Sequence, residues 1–476
     1  MRSYATFRDI QHDLQQGTLS CTQLVQHHLT NIKNKAHLNA FLSVYEDEAL
    51  ARAAEVDQKI KQGNAGKLAG LVVALKDVLS HAGHPLQASS KILDGFIAQY
   101  NATAVQRLLD EDAIIIGRNN CDEFAMGSSN ENSAFGPVLN ERDNARVPGG
   151  SSGGSAVAVQ ADMCRISLGS DTGGSVRQPA SFCGIVGLKP TYSRISRYGL
   201  AAYASSFDCI GIFGTCVEDV ALVLEVIAGR DDYDSTVSQQ SVPSYAAALQ
   251  NPPGKKYRIG YLNEPVISSG LQPEIQQAMA TAVARVRSAG HEAESIDLPL
   301  MDYFLPTYYI LATAEASSNL SRYDGVRYGH RSTHGTDLHT MYKKSRSEGF
   351  GKEVQRRILL GTFVLSASYY DAYYSQAQKV RSMIRSKTKE IFDRYDFILM
   401  PAAPTTAFKI GEHTADPIEM YLADIFSVHA NVAGVPGISI PCGTDKQGLP
   451  IGLQLIADDF EEEKLLVAAN MMMNLN

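Results

Sequence analysis

Short apolar runs alternate with stretches of helical periodicity along this 476-residue chain, and that alternation limits its fold more than any other feature. Leu71-Val72-Val73-Ala74-Leu75, Ile114-Ile115-Ile116 and Phe397-Ile398-Leu399-Met400 are apolar on both faces and too short for helices. Such runs read as strands buried on both sides of a sheet. Further strands are expected at 165–168, 257–261, 437–440 and 453–456. Helices are expected at 9–16, 20–33, 46–61, 102–113, 155–162, 218–228 and 272–289, with one long helix over 352–394. This alternation predicts an α/β fold, a mixed β-sheet covered by helices. No repeat or low-complexity linker divides the chain, so one large domain, 1–476, is expected. Within it, 1–62 is a helical segment, 63–215 a core, and 216–476 the remainder.

Residues 127–154 are dense in Gly, Ser, Asn and Pro, which marks a loop long enough to be functional. It ends in Gly149-Gly150-Ser151-Ser152-Gly153-Gly154-Ser155. A second such segment follows, Gly169-Ser170-Asp171-Thr172-Gly173-Gly174-Ser175-Val176-Arg177-Gln178-Pro179. A serine in a tight glycine turn can present its hydroxyl to a substrate while nearby backbone N–H groups face a developing oxyanion. Such a nucleophile needs a base. The common base is histidine, and none occurs between His84 and His291.

Two familiar readings fail on context. Gly150-x-Ser152-x-Gly154 has the spacing of a hydrolase nucleophile elbow, but that turn follows a strand, and here residues 140–148 are loop sequence. The histidines downstream (His291, His330, His334, His339, His413 and His429) stand in no recognisable triad pattern. A phosphate-binding P-loop would end in Gly-Lys-Ser/Thr, which is missing. A flexible Gly/Ser linker would not account for Asp171, Arg177 and Pro179 set among the glycines.

Charge and cysteine usage narrow the setting. A formal net charge of −8 argues against a chain that grips a polyanion by itself. Seven scattered cysteines without a C-x-x-C pair argue against a disulfide framework or a common zinc site, and read as reduced thiols in a cytoplasmic protein. The first ten residues read as too polar for a signal peptide, and no apolar run reaches the ~18 residues of a membrane span.

With histidine missing, a lysine is the best remaining base, since burial lowers its pKa toward neutrality. Lys76 is the candidate, at the end of an apolar strand and beside Asp77. Ser–Lys sites are an established variant of the serine triad. Val73-Ala74-Leu75-Lys76-Asp77 and the two glycine-serine segments together resemble the amidase signature family. The 75 residues from Lys76 to Ser151 and the 24 from Ser151 to Ser175 agree with that family's pattern. The resemblance implies Ser175 as nucleophile, Ser151 as a relay serine on a cis peptide bond and Lys76 as base. It implies an oxyanion hole from the backbone N–H groups of Thr172, Gly173, Gly174 and Ser175.

Three further stretches, 122–137, 315–325 and 347–358, resemble one branch of that family, the A subunits of glutamyl-tRNA(Gln) amidotransferases, and the likeness spans nearly the whole chain. It implies hydrolysis of glutamine to glutamate and ammonia. The ammonia would pass to a B subunit that converts misacylated Glu-tRNA(Gln) to Gln-tRNA(Gln) with ATP and magnesium; Asp-tRNA(Asn) is left open as a second substrate. A small C subunit would complete a heterotrimer, with tRNA held by the B subunit and no metal or cofactor in this chain. Free glutamine carries a carboxylate and an ammonium, so its pocket needs one cation and one anion. By the resemblance Arg357 meets the carboxylate, Asp424 meets the ammonium and Tyr308 lines the pocket, with Arg356 and Tyr309 as the neighbouring register. The alternative is a stand-alone amidase acting on another amide. Ser193, Cys209, Ile212 and Glu141 depart from the usual pattern, the first three near the active-site loop.

Overall fold

The computed structural model describes residues 3–252, 254–262, 270–413 and 417–475. Its centre is one eleven-stranded sheet. In chain order the strands are β1 (Phe41–Val44), β2 (Val72–Lys76), β3 (Ile114–Asn119), β4 (Ile166–Asp171), β5 (Val186–Lys189), β6 (Cys209–Gly214), β7 (Arg258–Leu262), β8 (Glu292–Ile296), β9 (Phe397–Pro401), β10 (Gly437–Thr444) and β11 (Pro450–Ile456). Across the sheet they run β1-β3-β2-β4-β6-β5-β10-β11-β9-β7-β8. Pairing is parallel at β3-β2-β4 and at β9-β7-β8, and antiparallel elsewhere. The expected mixed α/β sheet is what the chain forms.

The parallel trio matters most for function. β2, β3 and β4 are buried along their whole length, as their Val, Ile and Leu content requires. Parallel pairing sets Lys76 beside Asn119, and Leu75 beside Leu168. The C-terminal ends of β2, β3 and β4 therefore reach one edge of the sheet, where α/β folds commonly carry ligand sites. The helix Gly153–Gln160 follows the first glycine-serine segment, and the seven-residue helix Arg177–Cys183 follows the second.

The sequence reading and the structure differ in places, each with a local cause. The helix expected over 352–394 is broken into Lys352–Val364, a π-helical turn at Tyr370–Ser375, and Gln376–Phe392. Ser366 Oγ donates to Phe363 O at 2.8 Å in the gap, a local bond that competes with the helical ladder. The helix expected at 155–162 starts and ends two residues earlier. Strands β5 and β6 escape periodicity because glycine dilutes their apolar pattern, and β8 because it is a half-exposed edge strand. The apolar helix Met301–Asn319 was also not expected. Ser193 takes φ +77°, a conformation that favours glycine, and nothing in the structure explains the serine there. Cys209 and Ile212 both lie buried in β6, and Glu141 pairs with Lys35. None of the seven cysteines is in a disulfide, and no helix of the described residues is long and apolar enough to cross a membrane.

Candidate active site

Lys76 ends β2 with its amine enclosed among hydroxyls. Nζ lies 2.7 Å from Ser151 Oγ, 2.8 Å from Ser152 Oγ and 2.9 Å from Ser170 Oγ. The Ser152 hydroxyl donates to Ser170 O at 3.1 Å, so toward Lys76 it can only accept. A neutral amine has two N–H donors and one lone pair. Donating to Ser152 and Ser170 leaves that lone pair facing the Ser151 hydroxyl. Burial lowers Lys76 to about 8, against the partial pull of Cys121, Asp122 and Asp171. Near neutral pH a working fraction of the amine is therefore an unprotonated base. The Gly150–Ser151 peptide is cis.

Ser175 stands at the end of the second glycine segment, and is the most exposed of Lys76, Ser151 and Ser175, at 8%. Its loop is braced by a buried pair. Asp171 accepts from the backbone N–H groups of Gly174 (2.9 Å) and Val176 (3.2 Å), and from Arg177 Nε and Nη2 at 3.1 and 3.0 Å. The remaining Arg177 donors reach Ser427 O, Gln454 Oε1 and Asn431 Oδ1 at 2.7–2.8 Å, so the guanidinium is saturated. Burial alone would raise the Asp171 carboxyl, but the Arg177 charge and hydrogen bonds outweigh it and hold it at about 2.

The loop departs from expectation at Gly174. Gly174 N–H is taken by Asp171, and the carbonyl of the same peptide, Gly173 O, accepts from Ser427 Oγ at 2.6 Å. That peptide is pinned at both ends, so Gly174 is not a free oxyanion donor. Among the described residues, no hydrogen bond occupies the N–H groups of Thr172, Gly173 or Ser175. Glycine is required at both central positions. A Cβ on Gly173 would meet Tyr308 Cζ at 2.5 Å, and Gly174 has φ +129° with Ser427 Oγ 2.0 Å from its would-be Cβ.

Two further elements close the site. Helix Met301–Asn319 sets Tyr308 against Gly173 and turns the next residue, Tyr309, toward Asp424 and Arg357. Tyr309 OH donates to Asp424 Oδ2 at 3.2 Å, and Ser128 Oγ donates to the same oxygen at 2.7 Å. Burial raises Asp424 to about 7, while Ser128, Arg357 and Tyr309 pull the other way. Arg357, on helix Lys352–Val364, donates to Tyr203 OH at 2.9 Å and to Glu353 at 2.8 Å. Its guanidinium lies 5.4–5.7 Å from the ring centres of Tyr203, Tyr309 and Tyr421, within cation–π range. Arg357 is 3% exposed, whereas the Arg356 side chain is 51% exposed and pairs with Glu353. The buried register is Arg357. Tyr308 and Tyr309 are both inside, with different partners.

The outlying stretches turn out to be supports. Glu315 accepts from Ser206 N–H (2.9 Å), and Asn319 Nδ2 donates to Tyr203 O, so that stretch holds the loop carrying Tyr203. Asp122 accepts from the backbone of Asn130 and Asn132 beneath the first glycine segment. Glu123 accepts from Gly351 N–H at 2.8 Å, at the start of the helix that carries Arg357. Sequence reasoning missed Ser152, Ser170, Tyr203, Ser128 and Tyr421. Ser170 could have been found: it lies one residue from the end of β4, beside the strand that Lys76 ends. His429, two residues from Asn431, is fully buried, stacked on Phe304 and bonded to Thr388 Oγ1, and burial pushes it down to about 3. It has no role as a base for Ser175.

The sequence pattern of the Amidase family matches residues 23–466. The glutamyl-tRNA(Gln) amidotransferase A subunit of Koribacter versatilis is 55% identical over 434 residues, 91% of this chain and 90% of that protein. Its counterpart in Chlorobium luteolum is 51% identical over 470 residues, 98% of this chain and 97% of that one. A crystal structure of the glutamyl-tRNA(Gln) amidotransferase A subunit from Thermotoga maritima superposes with a TM-score of 0.78 at 39% identity, covering 94% of this chain and 92% of that one. The chain thus belongs to the amidase family, in the branch of the glutamyl-tRNA(Gln) amidotransferase A subunits.

Proposed function

We propose that this chain is the glutaminase subunit of a tRNA-dependent amidotransferase, with Ser175, Ser151 and Lys76 as its catalytic residues. The observation that carries the reading is the pair Arg357 and Asp424 on either side of Tyr309. One buried cation and one buried anion lie beside the nucleophile loop, and a hydrophobic amide would leave both without a partner. Glutamine supplies both complementary charges. Arg357 takes the α-carboxylate, Asp424 the α-ammonium, and Tyr308 lines the side chain's path to Ser175.

The Lys76–Ser151 hydrogen bond supports one leg of a proton relay, and Ser152 N–H donating to Ser175 O at 3.3 Å brings the two glycine-serine segments together. Ser175 Oγ attacks the γ-amide carbon, and its proton passes through the Ser151 hydroxyl to the Lys76 lone pair. The N–H groups of Thr172, Gly173 and Ser175 hold the oxyanion, each such donor being worth about 3–4 kcal/mol of barrier. Protonated Lys76 returns the proton, through Ser151, to the leaving nitrogen, and ammonia departs. Water then cleaves the glutamyl ester by the same relay. Under this reading ammonia goes to a B subunit that holds tRNA, ATP and magnesium, with a C subunit completing a cytoplasmic heterotrimer. The test is reconstitution with B and C subunits. Glutamine should drive amidation of Glu-tRNA(Gln), and ammonium chloride should replace it. Hydrolysis of hydrophobic amides by the chain alone, with no response to partners, would favour a stand-alone amidase.

Two titrations shape the pH profile of kcat/KM. Asp424 must be ionised to hold the ammonium, and burial sets it at about 7; Lys76 must be neutral to take the proton, and burial sets it at about 8. Both active forms are the deprotonated ones, so both losses fall on the acid side. The logarithm of kcat/KM should rise with slope near two below pH ~7, near one between ~7 and ~8, and level above. Asp424→Asn should remove the lower limb and keep the upper one, as measured by initial rates across that range.

A further inference from the structure

A cluster far from the triad lies where the N-terminal helices meet the core. His27 and His28, on helix Cys21–Asn34, converge on Asp162, which follows helix Gly153–Gln160. His27 Nε2 is 2.6 Å from Asp162 Oδ2, and His28 Nδ1 is 3.7 Å from Oδ1, so each carboxylate oxygen faces one imidazole. We propose that His27, His28 and Asp162 form a binding site for a divalent transition ion of the zinc class, which clamps the N-terminal helices to the core.

The geometry fits on each point that such a site must satisfy. Two imidazoles and one carboxylate are a donor set that zinc accepts. Bonds of 2.0–2.2 Å in a tetrahedral arrangement separate ligand atoms by about 3.3 Å. One atom from each residue lies within 4.8 Å of the others, so the widest pair must close by at most about 1.5 Å to reach that spacing. His28 Nδ1 now also meets Asp162 O at 3.0 Å, a bond it would give up. That carbonyl stays satisfied, because Asn31 Nδ2 donates to it at 2.6 Å and also reaches Asp162 Oδ2 at 3.1 Å. Asn31 is the outer partner that orients the carboxylate. Arg165, in the wall of the same cleft, is paired with Asp219 at 2.5 Å. The fourth position opens on a cleft of about 490 Å³ that includes His27, His28, Asp162 and Cys164 in its wall, and this is the entry path.

None of these residues touches the triad, so metal binding and glutamine hydrolysis are separable. The test uses the full chain purified without a histidine tag and stripped with chelator. Equilibrium dialysis with ZnCl2 should give one ion per chain, and Tm should rise at saturation. Cobalt(II) should show the visible bands of a four-coordinate nitrogen–oxygen site. His27→Gln and Asp162→Asn should each weaken binding at least 10–100-fold, and Asn31→Ala by about 10-fold, with catalytic activity in metal-free buffer unchanged. Asparagine at 162 tolerates the left-handed φ of +54° there, so that variant keeps the fold. Absence of saturable binding would overturn the proposal. So would zinc affinity unaffected by His27→Gln and Asp162→Asn, or affinity lost instead with Cys164→Ser.

Discussion

Lys76→Ala is expected to lower glutamine hydrolysis by about 10⁴–10⁶-fold, the range found when one member of a serine-type triad is removed. The loss is chemical, because no second group is placed to take the Ser151 proton: the other hydroxyls at Nζ, Ser152 and Ser170, are as weakly basic as Ser151 itself. Folding should survive, since removing a buried amine also removes its desolvation cost, and water can serve the three hydroxyls left behind. Lys76→Met keeps the volume without the base and should be as inactive as the alanine variant. Ser175→Ala should lose as much, and the double variant little more, because residues that act as a unit are not additive. Steady-state assays of glutamate release decide the matter. Activity within tenfold of the parent in Lys76→Met would remove lysine from the mechanism. Amidation by the assembled complex fed with ammonium chloride should persist in all four variants.

Arg357→Met is expected to lower kcat/KM for glutamine by about 10²–10³-fold, mostly through KM. Truncating one partner of a buried, hydrogen-bonded charge pair typically costs 2–5 kcal/mol. Arg357 meets that description once a carboxylate is bound: it is buried, held by Glu353 and Tyr203, and flanked by three aromatic rings. The carboxylate is remote from the scissile amide, so the loss should appear in binding more than in turnover. 4-Aminobutanamide, which is glutamine without its α-carboxylate, separates the roles. The parent should discriminate strongly against it, and Arg357→Met should process both amides at similar kcat/KM. Arg356→Met should stay within about twofold of the parent, since Arg356 is half exposed and its ion pair with Glu353 lies at the surface. Equal effects at 356 and 357 would mean that the helix has been assigned the wrong face.

Much of this site was legible without coordinates. The histidine gap and the buried-strand signature of 71–75 pointed to Lys76, and glycine density marked the two loops that carry Ser151 and Ser175. Those signals are local: each arises from residue types within a few positions, where steric rules act directly. Arg357 and Asp424 were reached only through resemblance, because nothing in a helical Arg-Arg pair shows which arginine faces inward. Ser152 and Ser170 were passed over for another reason. They matter because β2 and β4 are adjacent and parallel, and adjacency of strands about ninety residues apart leaves no trace in local pattern. The error at Gly174 has the same origin. Whether a loop N–H is free depends on Asp171 and Ser427, and Ser427 arrives from the far end of the chain.

The amino-acid sequence by itself determined the α/β class, the buried strand ending in Lys76, and the two glycine-serine loops, since backbone sterics and burial periodicity act over short separations. Only the tertiary structure decided which N–H groups stay open to an oxyanion, which arginine is buried, and that Tyr309 stands between Arg357 and Asp424. Those outcomes depend on elements packed from across the chain, helix Met301–Asn319 against the loop at Gly173 above all. A contact of that kind exists only once the sheet has fixed where each loop ends.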